Sequence, residues 1–121
     1  MTTVHQKLAV VLVLVSLAGA LWAGYAASRH RFGERLSWLA WLATGLVLLE
    51  ASLGIALAAR GQRPPDATHF VFGPAALLVL PLGLGLSRGR SARAASRIAA
   101  ASWVIALALN LRAVGTGGGL S

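Results

Sequence analysis

The 121-residue chain predicts an all-α fold, an integral membrane bundle of four transmembrane helices, and three observations carry that expectation. Hydrophobic residues make up 57% of the chain and the mean hydropathy is +0.74, which leaves almost no material for a water-soluble core. The apolar residues fall into four runs, 4–27, 36–59, 69–86 and about 94–114, separated by short charged loops. The runs are continuous and rich in Ala, Leu and Val, without the period-two alternation of a barrel strand, and backbone surrounded by lipid then satisfies its own hydrogen bonds only as helix.

The first run is long enough to cross about 30 Å of hydrocarbon at about 1.5 Å per residue. No Lys or Arg precedes it in residues 1–6, and it is too long for a signal-peptide core, so it reads as a retained span. The second run, 36–59, holds Glu50, the one acid inside a span. The third, 69–86, is introduced by Pro64-Pro65 and contains Pro74 and Pro81, each of which removes a backbone donor and can kink a helix. The fourth carries Asn110, whose expected role is to bond helix to helix. Residues 115–121, with Gly117, Gly118 and Gly119 in a row, read as a flexible tail, so the whole forms a single domain over 1–114. Trp22, Trp38, Trp41, Trp103 and Tyr25 lie mostly toward one end of their spans, and belt or core packing accounts for them.

The net charge of +8 reports topology and not nucleic acid, because the arginines sit in loops without an interleaved aromatic surface. Loop 28–35 holds Arg29, Arg31 and Arg35 against Glu34, and loop 87–97 holds Arg88, Arg90, Arg93 and Arg97 with no acid. Loop 60–68 is weaker, with Arg60 and Arg63 against Asp66. The excess places the first and third loops in the cytoplasm and both chain ends outside, in a multi-pass protein of the cell's inner (cytoplasmic) membrane. His30, among arginines in a cytoplasmic loop, reads as a solvated residue.

Cysteine is absent, which removes disulfides, thiolate catalysis, iron–sulfur clusters and covalent c-type haem. Attention then falls on His5 and His69, each at the first turn of a span, on the first and third spans and so at one depth on the outer side. The helical face of His5 continues through Ala9, Leu12, Ser16, Gly19 and Ala23, and that of His69 through Gly73, Ala76, Leu80, Gly83 and Ser87. Stripes of small residues let helices approach closely or admit a flat group between them, and a polar side chain facing lipid is costly, so both imidazoles should point inward. Two imidazoles facing each other suit the axial positions of one haem b iron. Zinc would want further ligands, and Asp66 is the one nearby oxygen. Lys7, Arg63 and Arg112 stand at the depth of the haem propionates. The alternative is a pair of interfacial histidines that are merely hydrated.

Glu50 shares its stripe with Ala43, Val47 and Gly54 and should also face inward. A carboxylate in a span costs a few kcal/mol unless protonated or paired. It is the candidate catalytic residue, a proton relay beside a quinone site; the plainer role is a hydrogen bond to another helix, with Asn110 or Ser52 as partner.

The segments Val4-His5-Gln6-Lys7-Leu8-Ala9, Leu48-Leu49-Glu50-Ala51-Ser52-Leu53-Gly54 and His69-Phe70-Val71-Phe72-Gly73 resemble one half of the heme A synthase family, over about the first 87 residues. The resemblance implies a four-helix half with a histidine pair on alternate helices ligating a b-type haem, and the spacing of 64 positions between His5 and His69 is similar to that within such a half. The family's catalytic half has glutamate three residues before a histidine followed by arginine, where this chain has Thr2 and Gln6. The resemblance therefore implies haem binding more directly than oxidation of a haem methyl group.

Three functions follow. The first is a b-type cytochrome, a small electron-transfer subunit of a respiratory or photosynthetic complex that exchanges electrons with quinol, working among lipid and other membrane subunits and without nucleic acid. The second is a half-size enzyme similar to heme A synthase. The third is a haem-free structural subunit or a proton-coupled transporter similar to small multidrug exporters, though those carry their acid in the first span.

Overall fold

A computed structural model of the chain describes residues 2–29, 34–62 and 67–116. Four helices account for nearly all of them: α1 (Thr2–Ser28), α2 (Glu34–Ala59), α3 (His69–Ser87) and α4 (Ala92–Thr116). All four are long and apolar enough to cross a membrane. Their boundaries lie within two residues of the hydropathy runs, and α1, α2 and α3 each stop just before an arginine, Arg29, Arg60 and Arg88. Gly61, with φ of +84°, ends α2: its amide donates to the Ala58 carbonyl and that of Gln62 to the Leu57 carbonyl, the pairing that closes a helix on a left-handed glycine. Gly89, with φ of +72°, turns the chain between α3 and α4. Helix α3 runs unbroken through Pro74 and Pro81.

Each helix packs against two neighbours, α1 with α2 and α4, and α3 with α2 and α4, which leaves α1 diagonal to α3 and α2 diagonal to α4. The faces named by the histidines and Glu50 are the ones turned inward. Leu12, Ser16, Gly19 and Ala23 of α1, Ala43 and Val47 of α2, and Ala76, Leu80, Gly83 and Ser87 of α3 are all buried. Outward-facing residues include Leu21, Trp38, Ile55 and Val71, each about two-thirds exposed or more. Between 17% and 22% of each span's apolar stretch is buried inside the bundle, so most of the apolar surface faces outward, as in helices whose outer faces meet lipid.

The two ends of the bundle differ. At the end away from His5 and His69, Ala23, Ala26, Leu36, Ala40, Leu80, Ala99 and Trp103 form a closed core. Trp103 is one of its main supports and not part of an interfacial belt. It is 1% exposed, in the middle of α4, and its indole lies on Gly19 so closely that no Cβ fits there. Gly83 of α3 meets Ser102 of α4 in the same way. Small residues thus bring α1 and α3 tightly against α4, where packing and not the hydrophobic effect must hold helices together in lipid. Asn110 Nδ2 donates to Ser16 Oγ at 2.8 Å, a buried interhelical bond at the centre of the bundle. The partner expected of Glu50 is thereby corrected: Asn110 serves Ser16, and Ser52 turns its hydroxyl back to the Leu48 carbonyl.

Helix α4 also extends further than the glycine count suggests. Gly115 and Thr116 remain helical, and Thr116 is buried with its hydroxyl donating to the Arg112 carbonyl at 2.9 Å. The expected flexible tail is shortened at its start by that bond, and residues 117–121 lie outside the described residues.

Candidate functional site

Above the closed core, a layer of Leu12, Val47 and Ala76 forms the floor of a cavity of about 280 Å³. It occupies the diagonal between α1 and α3, where the two backbones do not touch. His5, Glu50 and His69 all line it. The cavity is apolar over most of its wall and sits just below the roughly 300–1,000 Å³ common for small-molecule sites. A Cβ added to Gly73, one turn after His69, would have nothing within 4 Å, so the missing side chain is part of the open space.

The imidazoles of His5 and His69 face each other with ring centroids 6.2 Å apart and planes at 80°. A metal bound at about 2 Å by one nitrogen of each ring places the centroids roughly 6 Å apart. The separation is that of an edge-to-face ring contact and is also wide enough for one metal centre between the two rings.

The Nδ1 atoms of the two rings meet different groups. His69 Nδ1 lies 2.8 Å from the Ala113 carbonyl, with Thr116 Oγ1 at 3.2 Å. A carbonyl only accepts, so Nδ1 is the donor, and in the neutral ring the lone pair then lies on Nε2. His5 Nδ1 lies 3.0 Å from Glu50 Oε1, an ion-pair distance whose angle departs from a straight hydrogen bond. Glu50 Oε2 is buried without a hydrogen-bond partner among the described residues. Gly54 stands one helical turn after Glu50, and a Cβ there would come within 3.3 Å of His5 Cε1. The glycine thus lets α2 pass close beside the imidazole. Anchoring of the second nitrogen by a carbonyl or carboxylate is the usual support of a histidine that ligates a metal.

The cationic candidates stand apart from this cluster. Lys7 is exposed on α1 and does not line the cavity. Arg112 is exposed on α4 with its guanidinium 5.4 Å from the centre of the Phe72 ring, outside the cavity lining. Arg63 lies outside the described residues, as do Pro64, Pro65, Asp66 and His30. Among the described residues no group of three or more His, Asp or Glu is arranged to hold a bare metal ion. Two imidazoles are the number of side-chain ligands that a bis-histidine haem iron takes from its protein.

The cavity reaches the outside of the bundle sideways. Ile55 on α2 and Phe70 on α3 both line it, yet they are 70% and 46% exposed. Both follow an inward residue, Gly54 and His69, by one position, about 100° of helical turn, which on antiparallel neighbours turns them toward the seam between α2 and α3. Sequence reasoning missed the Ala113 carbonyl, a backbone group with no residue signature, and Thr116, which looked like the beginning of a tail.

No protein-family model, curated protein or solved structure matches the chain.

Proposed function

We propose that the chain is a multi-pass membrane cytochrome that holds one b-type haem between His5 and His69. In this proposal it passes electrons as a small subunit of a larger respiratory or photosynthetic complex, with quinol as the exchange partner. The observation that carries it is the pair of imidazoles that meet across the bundle diagonal, 6.2 Å apart, with Nδ1 of His69 on the Ala113 carbonyl and Nδ1 of His5 turned to Glu50. That arrangement leaves two Nε2 lone pairs for a common centre, the donor set of a bis-histidine haem. Bound there, a haem supplies reversible one-electron transfer.

The chain's own groups supply position and surroundings. The Ala113 carbonyl orients the His69 ring, and Glu50 stands beside Nδ1 of His5. Leu12, Val47 and Ala76 seal the inner side against water. The cavity is modest and open at Ile55 and Phe70, and a haem held there would have this side for exchange with quinol or another subunit. The arginine-rich loops at the opposite end favour an outer-side position for this end of the bundle in the inner membrane. Glu50 turns toward His5, so its candidate role moves from a relay beside quinone to support of the ligand. The resemblance to a half of heme A synthase favours the same cofactor, while Thr2 and Gln6 in place of the family's glutamate and arginine favour electron transfer over oxidation of a haem methyl.

The test is a reduced-minus-oxidised visible spectrum of the protein purified from haem-replete cells. A sharp b-type band lost in both His5→Ala and His69→Ala is expected. A colourless wild-type preparation turns the assignment to the haem-free alternatives, a transporter or a structural subunit. Loss of haem a from cells that lack the protein favours the synthase.

A further inference from the structure

The supports of the two imidazoles are chemically unequal. His69 gives its Nδ1–H to a neutral backbone carbonyl, a partner of fixed strength that side-chain variation cannot remove. His5 faces the carboxylate of Glu50, on a different helix, with Oε1 3.0 Å away. The remaining oxygen, Oε2, has no hydrogen-bond partner among the described residues and no atomic exposure to share its charge with solvent. Oε1 is the oxygen turned to the His5 ring, and low local dielectric strengthens the interaction between the two groups.

We infer that Glu50 is a positioning residue that makes His5 the more basic of the two ligands and lowers the reduction potential of the iron they hold. The inference rests on the proposed haem site and goes beyond it by assigning the control of its potential to one side chain. A strong acceptor on Nδ1 shifts electron density toward Nε2, and hydrogen bonding to axial ligands is among the means by which a protein sets haem potential. Reduction would add an electron to the centre, and a negative charge on Glu50, one imidazole away, would oppose it. Gly54 belongs to the same device. Without a side chain there, α2 lies close enough for Glu50 to reach His5 while the ring's Cε1 edge stays unobstructed.

Three variants separate charge from shape. Glu50→Gln keeps an oxygen that accepts from Nδ1–H and removes the negative charge, Glu50→Asp keeps the charge on a shorter arm, and Glu50→Ala removes the acceptor. In potentiometric titration of the haem-loaded protein, Glu50→Gln should keep the b-type band and move the midpoint upward. Glu50→Asp should return it toward the wild-type value. A Glu50→Gln protein with a full band and an unmoved midpoint overturns the inference and leaves the haem site standing, whereas a wild type without any band removes the haem site itself. Nitrogen-15 NMR of the histidines in haem-free protein supplies a readout independent of loading. His5 should show the Nδ1-protonated form in the wild type and mixed tautomers in Glu50→Ala, with His69 unchanged. Identical His5 signals in the two proteins overturn the role of Glu50 whatever the variants do to haem retention.

Discussion

His5 and His69 meet ring to ring, with centroids 6.2 Å apart, although they belong to the two helices that share no backbone contact. Only side chains bridge the diagonal at this end, so each imidazole should be replaceable by a small molecule of the same chemistry. In His5→Gly or His69→Gly, added imidazole should restore the b-type band that the substitution abolishes. Absence of rescue in both variants, with helix content retained, means that the rings are not ligands.

The Gly19–Trp103 contact governs stability at the other end. The indole occupies the place of a Cβ at Gly19, and both flanking helices are fixed by the core around them, so Gly19→Ala must displace Trp103 or spread α1 from α4. Overpacking of this kind costs about 1–3 kcal/mol. Thermal unfolding in detergent should show the loss, and combination with Trp103→Leu should recover part of it through coupling between touching sites. A Gly19→Ala protein as stable as wild type would show that α1 and α4 are further apart than described.

Much of this architecture is readable from residue order. Periods of 3.6 from His5, His69 and Glu50 identify the inward stripes because a polar group and its small neighbours must share the face turned from lipid. The pairing across helices is not readable in the same way. Glu50 and Asn110 each need a partner, but which one each finds depends on helix depth and rotation, and those are set by contacts such as Gly19 with Trp103 and Gly83 with Ser102. Trp103 lies along the chain where either a belt or a core position is reasonable; only the bare Gly19 opposite decides for the core. The anchor of His69 is a carbonyl, and every residue has one.

Asn110 and Ser16 should behave as a coupled pair. Their 2.8 Å bond joins α4 to α1 at the cavity wall, which Asn110 lines, and interhelical hydrogen bonds of this kind in membranes contribute about 0.6 kcal/mol on average and up to about 1.7. Asn110→Leu and Ser16→Ala should each lower stability in that range, and the double variant should lose less than the two effects added. Simple additivity in a double-mutant cycle would mean the bond carries no interaction energy.

Gly73 and Gly54 line the same cavity but face different surroundings, and the difference yields a site-selective prediction. A side chain at Gly73 would enter open space, so Gly73→Leu should fold normally, with circular dichroism and thermal unfolding close to wild type. It should nevertheless fill the volume one turn below His69 and weaken haem retention at least about tenfold, or about 1.4 kcal/mol. At Gly54 even the first carbon approaches the His5 ring, so Gly54→Ala should retain haem with a disturbed axial ligand, visible as a shifted band or midpoint. The two variants thereby separate occupancy from ligand geometry. Should Gly73→Leu bind haem as tightly as wild type, the cavity along the α1–α3 diagonal is not where the cofactor sits.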